Sequence, residues 1–571
     1  MAIKFTLRKL FLFLVFPSVI CHLPSDLSAQ YSKFWIQFTD KNNNPYSVSN
    51  PSAFLSSRAI LRRTVQGISV IQNDLPVTPS YIDSVKAVPN VTVINRSKWF
   101  NAVTIFTTDT NALNTINAFS FVGGVQPVQR LHGNRKIEEE SYKDVFLTEK
   151  KKETVLPFSY NYGPSFHQIN MINGVCLHNN GFDGTGMQIA VLDAGFWKVD
   201  SLPAFDSLRT NGQILGTWDF VGNDSMVYDA HTHGMMVLSL MGGNIPGQIV
   251  GTAPKAKYWL LRTEEGATEY IIEEDNWVSG AEFADSCGAD VFNTSLGYTE
   301  FDDSTQNHAY ADMDGNTTRI TIATDIAASK GILPVNSAGN SAWSPWFYIG
   351  APADADSVLA VGAVDSLMNC AGFSSRGPSF DGRVKPNVAA MGQDVYTASP
   401  GGGIGKGSGT SFSSPITAGM VACLWQANPG TTNMQVFNAI QQSASQFLVP
   451  DSLLGYGIPD FCAADILLSQ MEQNNKKDEI YIYPNPTSGE FKIQIGNGQW
   501  AVGNQYRIEI VNVLGEKVYE EALTLKGTNT STLQGGGQTF SISLPSGLGH
   551  GIYFLNLRAG EKSYSAKVLK Y

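Results

Sequence analysis

The heptapeptide Gly409-Thr410-Ser411-Phe412-Ser413-Ser414-Pro415 delivers one serine from a Gly-Thr turn into an apolar run with helical spacing, Ile416, Gly419, Met420, Cys423 and Leu424. Ser411 is therefore expected in the first turn of a buried helix, with Pro415 at the helix start, where its missing N–H costs nothing. A serine in that place has free backbone N–H groups beside it and the positive end of the helix dipole behind it. Both suit a nucleophile whose product is an oxyanion. Taken alone, such a serine is far more often an N-cap. Three upstream residues change that balance. Asp193 ends the run Gln188-Ile189-Ala190-Val191-Leu192 and precedes Ala194-Gly195. His233, in Thr232-His233-Gly234-Met235-Met236-Val237, opens an apolar, helix-like stretch, and Asn340 follows Ser337-Ala338-Gly339 just past another apolar run.

These residue types fit one reaction. A serine hydroxyl is a poor nucleophile at neutral pH unless a base takes its proton. A neutral histidine does so and returns the proton to a leaving amine, while a buried aspartate holds the imidazole tautomer. The amide N–H of Asn340 and the backbone N–H of Ser411 would hold the tetrahedral oxyanion. His231 is a rival base two residues upstream of His233. Reading His231-Thr232-His233 as a metal pair would leave Asp193 and Ser411 unexplained.

The elements that must position these groups are legible as apolar runs. Besides 188–192 they include Tyr258 to Leu261, Val291 to Leu296, Ile332 to Asn336 and Val358 to Ala363, with helical segments Glu282 to Cys287 and Ile320 to Lys330 between them. Strands alternating with helices predict a parallel α/β sheet. Functional groups of such sheets gather at the carboxyl ends of the strands, so the four residues are expected on one rim. Ahead of this region, 31–130 reads as a small α+β domain, with strands at Phe34 to Phe38, Val91 to Ile94 and Ala102 to Phe106 and helix starts at Asn50-Pro51 and Thr78-Pro79. The charged stretch 135–153 reads as a solvated, cleavable linker. Beyond Asn474-Asn475-Lys476-Lys477-Asp478 the chain becomes short alternating strands with frequent turn signals, among them Pro484-Asn485-Pro486 and Gly535-Gly536-Gly537, the pattern of an all-β sandwich.

Composition bounds the rest. A hydrophobic share of 43% and a charged share of 16% fit globular cores, and the net charge of −11 argues against a general nucleic-acid binder. Lys4, Arg8 and Lys9 precede Leu10 to Phe16, and Leu27-Ser28-Ala29 offers a cleavage site, so residues 1–29 read as a secretory signal. No later segment is long enough to cross a bilayer. Cys21 follows the bulky Ile20, which argues against a lipoprotein. Removing the signal leaves five of six cysteines, with no Cys-x-x-Cys, so zinc and thioredoxin-like readings fail. One or two disulfides are expected outside the cytoplasm, with at least one thiol unpaired, and Cys423 belongs to the core.

The motifs resemble those of subtilisin-like serine proteases, the subtilases, in the family's order Asp, His, Ser. Asp193-Ala194-Gly195 is similar to its Asp-Ser/Thr-Gly, His233-Gly234 to the start of its His-Gly-Thr-His, and Ser337-Ala338-Gly339-Asn340 and Gly409 to Pro415 to its oxyanion and serine segments. Phe373-Ser374-Ser375-Arg376-Gly377-Pro378, followed by Lys385-Pro386, is another recurrent subtilase stretch. Met235, Met236 and Ser239 depart from the histidine motif without touching a triad position. The resemblance implies a secreted serine endopeptidase acting through Asp193, His233 and Ser411, with an oxyanion hole at Asn340 and Ser411. It places Ser295, Leu296, Gly297 and Gly350 along the substrate, and the small residues there imply a bulky apolar P1 side chain. It requires no cofactor; structural calcium occurs in the family, but no ligand run here assigns it.

The flanks carry their own resemblances. The implied organisation is a signal peptide at 1–29, a pro-domain at 30–134 acting as folding aid and inhibitor, a processing linker at 135–154, the subtilase domain at 155–470, a linker at 471–478 and a sorting domain at 479–571. The last resembles the C-terminal sorting domain of type IX secretion cargo through Ile482-Tyr483-Pro484-Asn485-Pro486-Thr487-Ser488-Gly489, Asn512-Val513-Leu514-Gly515, Gly551-Ile552-Tyr553-Phe554 and a basic finish at Lys567 and Lys570. Implied partners are protein or peptide substrates, the chain's own pro-domain and the type IX machinery, at the surface of a Gram-negative cell or beyond it. The alternative is an inactive surface or adhesion protein on a subtilase scaffold.

Overall fold

Seven apolar runs form one parallel sheet, in the order Val388–Met391, Leu359–Val364, Leu333–Ser337, Val291–Thr294, Gln188–Asp193, Lys257–Arg262, Ile214–Asp219. This computed structural model describes residues 31–130, 142–145 and 160–475, and 480–570 apart from 486, 496–504, 513–514, 525–537, 546 and 560–561. The expected signal at 1–29, nearly all of the 135–154 linker, the end of the 471–478 linker and the glycine turn at 535–537 lie outside the described residues. The central strands are buried along nearly their whole length because helices cover both faces, which is why they read as apolar runs. Helices Ile272–Cys287 and Arg319–Ser329 pack Trp277, Val278, Ala281, Ile320 and Ala323 against Ala190, Leu192 and Phe292. Helices His233–Gly242 and Thr410–Ala427 pack together and against the sheet, and are buried over nearly their whole length.

The first strand, Gln188–Asp193, lies between Lys257–Arg262 and Val291–Thr294. The chain continues outward from it on both sides, and its carboxyl end opens on the crevice where such sheets place their ligands. Asp193 therefore lands at the crevice by topology alone.

One local expectation is corrected. The helix begins at Thr410, so Pro415 sits in its interior rather than at its start. Proline there withdraws the N–H that would bond the carbonyl four residues back, which is that of Ser411. Ser295 Oγ takes its place, donating to Ser411 O at 3.0 Å.

The N-terminal domain is a four-stranded antiparallel sheet, Thr92–Ser97, Ala102–Phe106, Tyr31–Phe38, Val122–Arg130, backed by helices Pro79–Lys86 and Thr110–Asn117, while the helix Ser57–Val65 packs on Ile272–Cys287. Pro79 opens its helix as expected. Asn50-Pro51 does not: Pro51–Ala53 is one 3-10 turn, and the helix starts at Ser57, where Ser56 Oγ accepts from Ala59 N at 3.1 Å. This domain docks on the helix Ile272–Cys287. Glu282 accepts from Ser97 Oγ (2.6 Å), Lys98 N (2.6 Å) and Trp99 N (2.9 Å), and Trp99 joins the core of the α/β domain. Asp285, fully buried, is bound by Arg62 at 2.6 Å, Arg63 at 2.8 Å and Lys98 at 3.0 Å. Burial alone would raise its pKa, but the three cations hold it well below the usual carboxylate range.

Cys176 and Cys462 form a disulfide, while Cys287, Cys370 and the fully buried Cys423 are free. The chain divides into two compact units. One runs to Cys462 without residues 428–431, and the other comprises Asn428–Thr431 and Ala463 onward. The second carries two antiparallel sheets, Ile480–Tyr483, Glu490–Ile495, Gln538–Ser543 and Lys517–Thr524, Gln505–Asn512, Gly551–Ala559, Lys562–Lys570. They share a core of Phe491, Ile493, Ile508, Ile510, Leu555 and Val568. Among the described residues no helix is long and apolar enough to cross a membrane.

Replacing Asp285 by Ala takes the carboxylate from Arg62 and Lys98, while Arg63 keeps Asp74 at 3.1 Å, and is expected to destabilise the unprocessed chain by about 3–5 kcal/mol. The urea unfolding midpoint measures it. Because the folded pKa of Asp285 is depressed, its contribution is full at neutral pH and is lost only as pH falls through and below the ordinary carboxylate range.

Candidate active site

Asp193 is wholly buried beneath the first turn of the helix His233–Gly242. Its Oδ1 accepts from Ala194 N at 2.8 Å and lies 2.7 Å from His233 Nδ1. A carboxylate only accepts, so His233 donates through Nδ1 and keeps the lone pair of Nε2 for its other side. The approach depends on Gly234. A Cβ at that position would lie 2.4 Å from Gly195 O and 2.9 Å from Asp193 Cβ, so any side chain would push the helix off the strand. His231, the rival base, lines the same cleft, but Asp193 bonds His233; His231 Nδ1 accepts from His233 N at 3.2 Å.

Ser411 is the second residue of its helix and is 4% exposed. Its Oγ donates to Ser295 O at 3.2 Å, while Ser295 Oγ donates to Ser411 O, a reciprocal pair that ties the helix start to the segment after Val291–Thr294. Asn340 is fixed by its other neighbour. Its Oδ1 accepts from Thr410 N at 2.8 Å and Thr410 Oγ1 at 3.0 Å, and Thr410 Oγ1 in turn accepts from Gly339 N at 3.1 Å. A backbone N–H can only donate, so the bonded atom is the amide oxygen. Asn340 itself is exposed and lines the cleft.

His233, Ser411, Asn340, Ser295, Leu296, Gly297 and Gly350 all line one cleft of about 550 Å³, with Asp193 behind His233. The sequence-predicted set is thus brought together from strand ends and helix starts far apart in the chain.

The subtilase family model matches residues 184–457. Subtilisin from Bacillus pumilus is 30% identical over 302 residues, 52% of this chain and 97% of that protein. The chain belongs to the subtilase family. Subtilisin E from Bacillus subtilis (strain 168) is 30% identical over 283 residues, 48% of this chain, and the match spans 65% of its length. The crystal structure of MycP1 from Mycobacterium smegmatis is similar over 58% of this chain and 89% of that one, at 22% identity and a TM-score of 0.43. Two further models match: the peptidase S8 propeptide domain of Bacteroidota at 33–143 and the secretion system C-terminal sorting domain at 481–571.

Within this subtilase the departures at the histidine motif are absorbed by packing. Met235 is fully buried and Met236 nearly so. Ser239 Oγ donates to Met236 O at 2.6 Å, meets Thr397 Oγ1 at 2.9 Å and accepts from Ala398 N at 3.0 Å, so the hydroxyl ties the helix to a neighbouring strand.

Sequence reasoning missed the acidic wall of the cleft. Glu264, Glu265, Glu269 and Glu273 line it, and among the described residues no lysine or arginine does. Carboxylate oxygens of Glu264, Glu269 and Glu273 lie within 4.8 Å of one another, a spacing that could hold a metal ion. Burial raises the pKa of Glu264. Burial and then the Glu264 charge drive that of Glu273 well above the ordinary range. Burial, with the Glu264 and Glu273 charges, does the same to Tyr298, whose Oη donates to Glu264 Oε1 at 2.5 Å. The available signal was position: Glu264 and Glu265 follow directly on the strand Lys257–Arg262, at its carboxyl end.

Gly234→Ala is expected to leave a folded chain while parting His233 from Asp193. Hydrolysis of a peptide substrate should fall by roughly 10²-fold or more, as small misplacements of acting groups do. Parallel circular dichroism spectra with wild-type turnover would show the contact is dispensable.

Proposed function

We propose that this subtilase is a secreted serine endopeptidase that cleaves peptide bonds through Asp193, His233 and Ser411. The observation that carries the reading is the 2.7 Å contact of buried Asp193 with His233 at a cleft that also holds Ser411 and Asn340. Ser411 Oγ attacks the scissile carbonyl as His233 Nε2 takes its proton, and Asp193 stabilises the imidazolium. Asn340 Nδ2 and the Ser411 backbone N–H receive the oxyanion. His233 then protonates the leaving amine, giving an acyl-enzyme that water hydrolyses by the same steps. The mechanism needs no cofactor. The substrate lies along Ser295-Leu296-Gly297, with Gly350 in the pocket for a bulky apolar P1 residue.

The propeptide and sorting matches support a secreted zymogen. In this reading the signal at 1–29 starts export, and the pro-domain at 30–134 leaves after cleavage within 135–154. Residues 479–571 address the protein through the periplasm to the type IX machinery, for release or surface attachment. An inactive scaffold would have no need for the Asp193–His233 contact or for the Thr410 clamp on Asn340.

A fluorophosphonate probe should label the mature protein and spare Ser411→Ala, which should also retain its pro-domain if maturation is autocatalytic. Equal labelling of the two would end the protease reading. Asn340→Leu should fold and label, with kcat lowered about 10²–10³-fold; unchanged turnover would remove Asn340 from the site.

A further inference from the structure

We infer that Glu264 and Glu273, with the part-exposed Glu269, take a lysine or arginine side chain of the peptide lying along Ser295-Leu296-Gly297. The inference rests on the protease reading and adds a substrate class to it. Glu273 is 1% exposed and lines the cleft, yet its Oε1 has no hydrogen-bond partner. Glu273 shares a side-chain hydrogen bond with Glu264, but a buried carboxyl oxygen left without any donor is costly, and a docking cation supplies one. Among the described residues neither Glu264 nor Glu273 makes an ion pair. The nearby Arg262 is spent on Asp219 at 2.7 Å and Glu265 at 3.5 Å.

The pro-domain approaches the same wall with a cation of its own. Its strand Tyr31–Phe38 crosses here, with Trp35 packed against Tyr270 and Ile272. Lys33 on that strand is part-buried. Burial lowers its pKa while the charges of Glu265 and Glu273 oppose the change. Departure of the pro-domain removes Lys33 and leaves the wall to the substrate. Glu264 Oε1 already accepts from Tyr298 Oη and from Thr263 Oγ1 at 2.9 Å, so the incoming cation has Glu273 Oε1 as its first acceptor, with the Glu264 charge beside it.

The test uses the processed protein and fluorogenic peptides carrying either lysine or norleucine in turn at each of the four residues before the scissile bond. Active sites are titrated with fluorophosphonate, and assays are run with and without EDTA. At one position lysine should exceed norleucine in kcat/KM by roughly 10- to 100-fold, the range of a hydrogen-bonded charge. That ratio should fall at least about tenfold in both Glu273→Gln and Glu264→Gln, with EDTA leaving it unchanged. A ratio near one at every position, in protein whose sites titrate, overturns the inference and leaves the protease reading standing. So does a preference that both variants retain, or one that EDTA abolishes and calcium restores, which would mark a metal site. Failure to titrate at all sinks both readings.

Discussion

The contact that the site depends on is the seating of the helix His233–Gly242 on the end of the strand Gln188–Asp193. It is possible because Gly234 has no side chain where the helix meets Gly195 and Asp193. That absence brings His233 Nδ1 to 2.7 Å from a carboxylate with no exposure to water. In so dry a place the hydrogen bond is electrostatically stronger than in solvent. The parallel sheet is the frame for this: it buries the strand on both faces and opens only at its carboxyl end.

The serine side is built differently. Ser411 stands on a helix with a proline four residues on, an arrangement that would leave its carbonyl unbonded. Ser295 completes that carbonyl and receives the Ser411 hydroxyl in return. One loop residue thus repairs the helix and ties the serine to the segment along which a peptide would lie. Thr410 does comparable work on the other side, holding the oxygen of Asn340 with its backbone N–H and its hydroxyl. The acting groups are held by neighbours whose own hydrogen bonds are already committed.

The propeptide domain grips the helix Ile272–Cys287 through buried charge. Asp285 gathers Arg62, Arg63 and Lys98, and Glu282 gathers a turn of backbone and a serine. Separating such partners leaves charges that water must repay, which suits a domain that stays in place until the chain between it and the protease is cut. Lys33 of the same domain feels the charges of Glu265 and Glu273, which oppose the lowering of its pKa by burial.

Much of this was legible in the residues. Asp193, His233, Asn340 and Ser411 each follow or open an apolar run, and a parallel sheet sends such residues to one rim; motif order alone then names the family. The segments at 295–297 and 337–339 take their places beside the cleft from the family resemblance and not from the residues alone. What the linear chain could not decide was interior to the fold. Pro415 looks like a helix start because local preference places it there, and only the Ser295 hydroxyl, far away in sequence, explains how it is tolerated inside. Glu264 and Glu273 read as ordinary surface acids until burial and the cleft are known, since charge is visible in a sequence and desolvation is not. The Cys176–Cys462 pairing belongs to the same class, because it is set by distance across the fold and not by spacing along it. The sequence by itself determined which polar side chains stand at the ends of the apolar runs and the sheet that carries them; tertiary structure decided which atoms face one another and which charges lie out of water.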